Sequence, residues 1–332
     1  MMKKFTAISI VVFLAFFSFT VCKKKPSTPV AGKATPDDIL NLVPSDVQGV
    51  FFVDFQRAMT SEIVNEVMQE EKTQEKLQEF ITKTGIDPQK DVFFIAGALT
   101  EGMGEATQKG VAIINLRYDK HSLLPMIKEK MEEEEQVLSE EEYSGFTVYH
   151  SAKENDEGSF SFLDDSNIVL GQSDSVKAVI DVLQKKGDNV FKNKKLSDVL
   201  NKTDKKALFW GAFLFPPELM DKAASQNPML GNLKAITAST LSFDYKDKNI
   251  IGEIKVMSSE QDKIQQIADM LNGLKAFGGM AAAKNPEVGE LMESIEISTG
   301  EDHVRIYASV PEELISKLKT KVTPPSPPEQ EE

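Results

Sequence analysis

Two stretches decide the reading: Gly49-Val-Phe-Phe-Val-Asp-Phe55 and Ala207-Leu-Phe-Trp-Gly-Ala-Phe213. Each is a short apolar run, and turn residues (Pro44 and Asp46) stand ahead of the first. Runs of that length read as buried strands. What matters is that each is followed by the same succession of elements.

After the first run a helical region spans Thr60 to about Lys83, with Ile63, Val64, Val67, Met68, Leu77, Phe80 and Ile81 at helical spacing. Gly85 and Pro88 stop it. Asp91–Leu99 and Gly110–Leu116 read as strands joined as a hairpin across Gly102-Met-Gly104. A helix follows from about Lys120, its apolar stripe formed by Leu124, Ile127, Met131 and Leu138, with Glu132 to Glu135 facing water. Phe146–Tyr149, Ser159–Leu163 and Asn167–Leu170 are short strands, and Asp164-Asp-Ser-Asn167 is a connecting turn. Ser173 caps a helix with Val176, Val179, Ile180 and Leu183 inward, and Gly187 takes the left-handed position beyond its end.

The second run starts the pattern again. Pro216-Pro217-Glu218 opens a short helix, and Thr240–Tyr245 and Ile251–Met257 form a hairpin across Lys246-Asp-Lys-Asn249. A helix over Gln261–Leu274 follows, ended by a break or close-packing point at Gly278-Gly279-Met280. Ile295 and Ile297 pair with Val304, Ile306 and Ala308 across Gly300, and Pro311 opens a last helix with Leu314, Ile315 and Leu318 inward. Matching element order without matching residues implies a duplicated α+β fold: two similar halves, each an antiparallel sheet with helices packed on one face. The halves are bounded as 39–203 and 204–321.

The N-terminus reads Met1-Met2-Lys3-Lys4, then an uncharged apolar run from Phe5 to Val21, then Cys22 and Lys23-Lys24-Lys25. A basic start before an apolar stretch is the layout of a secretory signal over 1–21. At 17 residues the run is also at the short edge of a bilayer span, so a retained anchor is the alternative. The three lysines on the translocated side oppose retention. Phe19-Thr20-Val21-Cys22 resembles a bacterial lipobox. The resemblance implies that Cys22 is the lipidation site, carrying acyl chains after the signal is removed. Cys22 is the sole cysteine, so it has no disulfide partner within the chain. Residues 22–38, with Pro26, Pro29 and Pro36, read as a flexible tether. Residues 322–332 read as a disordered, proline-rich acidic tail. The body, with phrases such as Gly85-Ile-Asp-Pro88, loosely resembles exported lipoproteins of unknown function built from repeated α+β units.

The chain of 332 residues carries a formal charge of -14, and loss of Lys3 and Lys4 with the signal makes the remainder more negative. Phosphate contacts need clustered Lys and Arg, so nucleic acid is not an expected partner. The expected partners are the membrane, through lipid on Cys22, and an envelope protein or ligand. The expected location is the bacterial cell envelope, with the body facing the periplasm or the outside.

The residues hold no recognisable reaction centre. No Gly-x-Ser-x-Gly elbow occurs. His121, His150 and His303 stand apart in sequence and none has zinc-ligand spacing, so each reads as a surface histidine. The densest acids, Glu132–Glu135 and Glu140–Glu142, read as solvated helix face and loop, and no calcium loop is present. Gly278-Gly279 lacks the lysine of a phosphate loop. Trp210, beside Phe209, Phe213 and Phe215, reads as core. No catalytic residue, metal or cofactor is assigned. The reading is a non-enzymatic binding or structural protein of the envelope; the alternative is an exported hydrolase with an unrecognised carboxylate site.

Overall fold

The computed structural model describes residues 34–322, apart from 63, 65–67, 70, 102–108, 134–135, 154–155, 227 and 282–284. Cys22, the expected signal, most of the expected tether, the tail from 323, the loop at Gly102–Gly104, and Ile63, Val67, Glu134 and Glu135 lie outside the described residues. The fold is α+β, and the chain forms two compact units that divide between Ser197 and Asp198.

Unit 1 begins with helix α1 (Pro36–Leu40), whose first three residues lie in the stretch expected to be tether. Thr35 and Asp38 form a reciprocal capping box there, and Ile39 and Leu40 are buried. Strand β1 (Gly49–Asp54) leads into α2 (Phe55–Thr60), capped by the Asp54 side chain on Arg57 N–H. Then come α3 (Glu71–Thr84), ended by Gly85 at φ 67°, and the short α4 (Pro88–Asp91). β2 (Val92–Glu101), β3 (Lys109–Leu116), α5 (Lys120–Glu133), β4 (Val137–Tyr143), β5 (Phe146–Lys153), β6 (Asp156–Phe162), β7 (Asn167–Gly171) and α6 (Ser173–Leu183) complete the pattern, and α7 (Lys194–Leu200) follows at the division. The strands pair antiparallel in the order β1-β2-β3-β7-β6-β5-β4.

Strand periodicity gives this sheet two buried faces. On one, Ile95, Leu116, Tyr149, Phe160, Phe162 and Ile168 form a core with Phe80 of α3 and Leu123 of α5. Tyr149 stacks on Phe160 at 4.8 Å, and Phe160 meets Phe162 edge-on at 5.8 Å. On the other, the register aligns Phe52, Ala96, Ile113, Val169, Ser161 and Val148 in one row across six strands. Every member of that row is at most 1% exposed. α6 packs against β3, β5, β6 and β7, and its Val176, Val179 and Ile180 are fully buried. α3 and α5 therefore share one face while α6 covers the other.

Unit 2 runs β8 (Phe209–Leu214), α8 (Pro217–Gln226), β9 (Ile236–Lys246), β10 (Asn249–Ser258), α9 (Gln261–Ala281), α10 (Pro286–Glu293), β11 (Ile295–Thr299), β12 (His303–Pro311) and α11 (Glu312–Val322). Its antiparallel order is β8-β9-β10-β12-β11. That is the order of β1-β2-β3-β7-β6 in unit 1, strand for strand. The difference is the hairpin β4–β5, which widens unit 1 at the end where unit 2 stops at β11. Ile264, Ile267, Ala268 and Leu271 of α9 pack on Val256, Ile297 and Val304 of one sheet face. Trp210 is fully buried, as expected of a core residue.

Several local expectations change. Ser173, expected as a cap, is the first residue of α6, and Gln172 stands at its N-cap without a side-chain bond. Leu138 lies on β4, not on the helix from Lys120, which ends at Glu133. Gly278 and Gly279 lie inside α9, which continues to Ala281; the tight spot is real, because a Cβ on Gly278 would sit 3.0 Å from Met292 Sδ. The left-handed residue after α6 is Lys185, at φ 57°, rather than Gly187. Pro311 closes β12, and the last helix starts at Glu312.

Candidate functional site

Two gatherings of charged side chains among the described residues, one on each unit, are the candidates. In unit 1 the inserted hairpin builds the first. β4 closes on β5 through Ser144-Gly145, both at positive φ (52° and 84°), so Tyr143 faces Phe146 and the register is fixed. That register sets Glu141 diagonal to His150, and β5–β6 sets His150 directly opposite Ser159. His150 Nδ1 lies 2.9 Å from Ser159 Oγ, and its Nε2 lies 3.1 Å from Glu141 Oε2. Lys177 of α6 meets the other Glu141 oxygen at 2.9 Å and lies over the Tyr143 ring. Tyr143 OH donates to Asp181 of α6 at 2.8 Å, and Lys186 reaches Ser144 Oγ. Lys177 holds the Glu141 carboxyl below its ordinary range, and the bond to Asp181 raises the Tyr143 hydroxyl.

This chain of Lys177, Glu141, His150 and Ser159 has the members of a serine–histidine–acid relay. Its surroundings favour a structural role. Ser159 is 7% exposed in the middle of a strand, on the sheet face that α6 covers. A nucleophile needs an approach path and donors aimed at the developing oxyanion. The arrangement pins the added hairpin to α6.

In unit 2 the second gathering lies on the sheet face opposite α9. Glu253 accepts from Arg305 Nε at 2.5 Å and from Lys255 at 3.0 Å, and the Arg305 guanidinium lies 4.4 Å from the Tyr307 ring centre. Lys255 also donates to Lys202 O at 3.0 Å, and Lys202 pairs with Asp302, which takes His303 Nδ1 at 3.1 Å. Burial would raise the Glu253 carboxyl, but bonds from Arg305 and Lys255 hold it below the usual glutamate value. Asp302 is lowered by Lys202 first and by His303 second.

Of the sequence-assigned positions, Cys22 lies outside the described residues. His121 is exposed at the start of α5, so the three histidines occupy three separate settings. Glu140, Glu141 and Glu142, expected in a solvated loop, sit on β4 and reach Lys128, Lys177 and Thr147 in turn. Among the described residues no three His, Cys, Asp or Glu side chains gather as a metal site. Sequence spacing does not show the contacts of His150, because they need strand register; the Ser144-Gly145 turn was the available signal for its approach to Glu141, while its approach to Ser159 depends on the β5–β6 pairing. Among the described residues no helix is long and apolar enough to cross a membrane.

No curated protein matches the chain. Three crystal forms of TP0453 are similar in structure. Form III has TM-score 0.46 and 10% identity, over 85% of this chain and 98% of that one. Form I gives 0.42 and 11%, over 86% and 97%, and form IV gives 0.42 and 10%, over 84% and 95%. Residues 70–283, well over half of the chain, match the model of a family described as protein of unknown function, DUF3352, and the chain belongs to that family.

Proposed function

We propose that the protein is an exported bacterial lipoprotein, held to a membrane by acyl chains on Cys22, whose body is a binding or structural protein of the cell envelope rather than an enzyme. The observation that carries this reading is the N-terminal layout: Lys3-Lys4, an uncharged run to Val21, Cys22, then three lysines. Two or three acyl chains give stable anchoring where one gives only marginal binding. Lys23–Lys25 would lie beside anionic headgroups, and the acidic body would be held off them. The use of Glu141, His150 and Lys177 to fasten a hairpin supports the non-enzymatic half of the reading. The test is Cys22→Ser. It should leave a precursor of unreduced size that takes up no fatty-acid analogue in growing cells; unchanged labelling overturns the anchor.

The His150–Ser159 contact favours one alternative, a hydrolase with Ser159 as nucleophile. A fluorophosphonate probe that labels the natural chain but not Ser159→Ala would establish it.

A further inference from the structure

Unit 2 ends at β11, where the equivalent strand of unit 1, β6, takes β5 on its outer side. Among the described residues no strand pairs with the outer side of β11. The direction of its backbone groups follows from one bond: Gly300 N donates to His303 O at 2.7 Å. Backbone groups alternate along a strand, so Ser298 and Glu296 also turn toward β12, and Ile295, Ile297 and Thr299 turn their N–H and C=O outward. Lys275 of α9 reaches Ile295 O, as expected of an outward carbonyl. Glu296, Ser298 and Thr299 are exposed. An edge of this kind is a template for another strand.

We propose that the occupant is β11 of a second copy, antiparallel about Ile297, which makes the two sheets continuous. The register centred on Ile297, which alone pairs all five residues of the edge, is complementary to itself. Ile297 faces Ile297 of the second copy, Ile295 faces Thr299, and Glu296 faces Ser298. Apolar side chains meet on the face that α9 packs against, and no two like charges stand opposite on the other. A shift of two residues breaks this match: one way it sets Ile295 against Ile297 and Glu296 against Glu296 and leaves Thr299 unpaired, and the other way it sets Ile297 against Thr299 and Ser298 against Ser298 and leaves Ile295 unpaired.

Cysteine pairing tests the register on the full chain in detergent, with Cys22→Ser so that each introduced thiol is the sole one. Residues in a hydrogen-bonded antiparallel pair have Cα atoms about 5.5 Å apart, within disulfide reach. Ile297→Cys should therefore oxidise to a covalent dimer. Glu296→Cys and Ser298→Cys should each oxidise at least ~10-fold more slowly alone, being offset from their own copies, yet should cross-link when mixed. Random collision gives the opposite order, because 296 and 298 are exposed while Ile297 is half-buried. The mixed pair keeps the test valid should a change at Ile297 disturb the core. Thr299→Pro removes an outward N–H and leaves the ladder to β12 intact, so it should abolish cross-linking with an unchanged circular dichroism spectrum. Monomeric Ile297→Cys together with no cross-link in the mixture overturns the proposal, as does faster reaction of Glu296→Cys alone.

Discussion

Glu253 and Asp164 show what single carboxylates contribute here. Glu253 is flanked by Arg305 and Lys255, which hold it ionised on a half-buried sheet face. A carboxyl lowered in the folded state stabilises above its unfolded pKa, and that contribution disappears as pH falls through the folded value. Asp302, lowered by Lys202 and His303, acts in the same direction. Urea midpoints should therefore fall as pH drops below about 5, the upper edge of the ordinary carboxylate range. Glu253→Gln should lower stability at pH 7 and flatten the decline in acid; a parallel decline would show that the ion pairs do not couple to folding. Asp164 acts through geometry. Its Oδ1 accepts from Ser166 N (2.7 Å), Ser166 Oγ (3.0 Å) and Asn167 N (2.8 Å), closing the turn between β6 and β7. Asp164→Ala should cost about 1–2 kcal/mol, since hydrogen bonds to a charged group are worth more than neutral ones, and a urea melt reads this directly.

At the scale of elements, two of the hairpin turns differ in how well their residues suit them. Asp247 and Lys248 join β9 to β10 at φ 51° and 60°, the left-handed pair of a type I′ turn. Lys248 is a side chain in a region that favours glycine, so Lys248→Gly should raise stability by about 0.5–1 kcal/mol. Gly145 at φ 84° is the well-suited counterpart, and Gly145→Ala should lose a similar amount. Thermal melts of the pair should move in opposite directions. The β9–β10 hairpin was legible because alternating strands flank a polar four-residue turn. The β4–β5 hairpin was half hidden: Phe146–Tyr149 read as a strand, but Val137–Tyr143 is glutamate-rich, and Leu138 follows Met131 at helical spacing. Glutamate favours helices on its own. Tertiary pairing overrides it here, with Lys128, Lys177 and Thr147 taking the three glutamates on alternate faces of an edge strand. α9 was read too short for a related reason. Glycine costs about 1 kcal/mol inside a helix, and what favours it at Gly278 is the nearness of Met292 on α10, which would crowd a Cβ there and which the local pattern does not contain.

For the whole molecule, the duplication was legible as element order, and strand order adds what a one-dimensional pattern lacks. β1-β2-β3-β7-β6 and β8-β9-β10-β12-β11 are the same sheet built twice, so β4–β5 is an addition at an edge rather than part of the repeated frame. Removing residues 137–153 should then leave unit 1 with the topology that unit 2 already has. The cost is specific. Val148 and Tyr149 are almost fully buried, one on each sheet face, and burying such side chains contributes roughly 1.5–3 kcal/mol apiece. α6 would also lose its anchors at Glu141 and Tyr143. The expected outcome is a chain that melts cooperatively at lower temperature and keeps its near-ultraviolet circular dichroism. Removing residues 236–258 is the contrasting case, because β9 and β10 lie between β8 and β12 and their loss leaves no continuous sheet in unit 2. If the first deletion yields helical and strand signal without fixed aromatic packing, the hairpin belongs to the folding core. Stacking of Tyr149 on Phe160 would then hold unit 1 together from its edge, and the repeat would describe the path of the chain without describing what stabilises it.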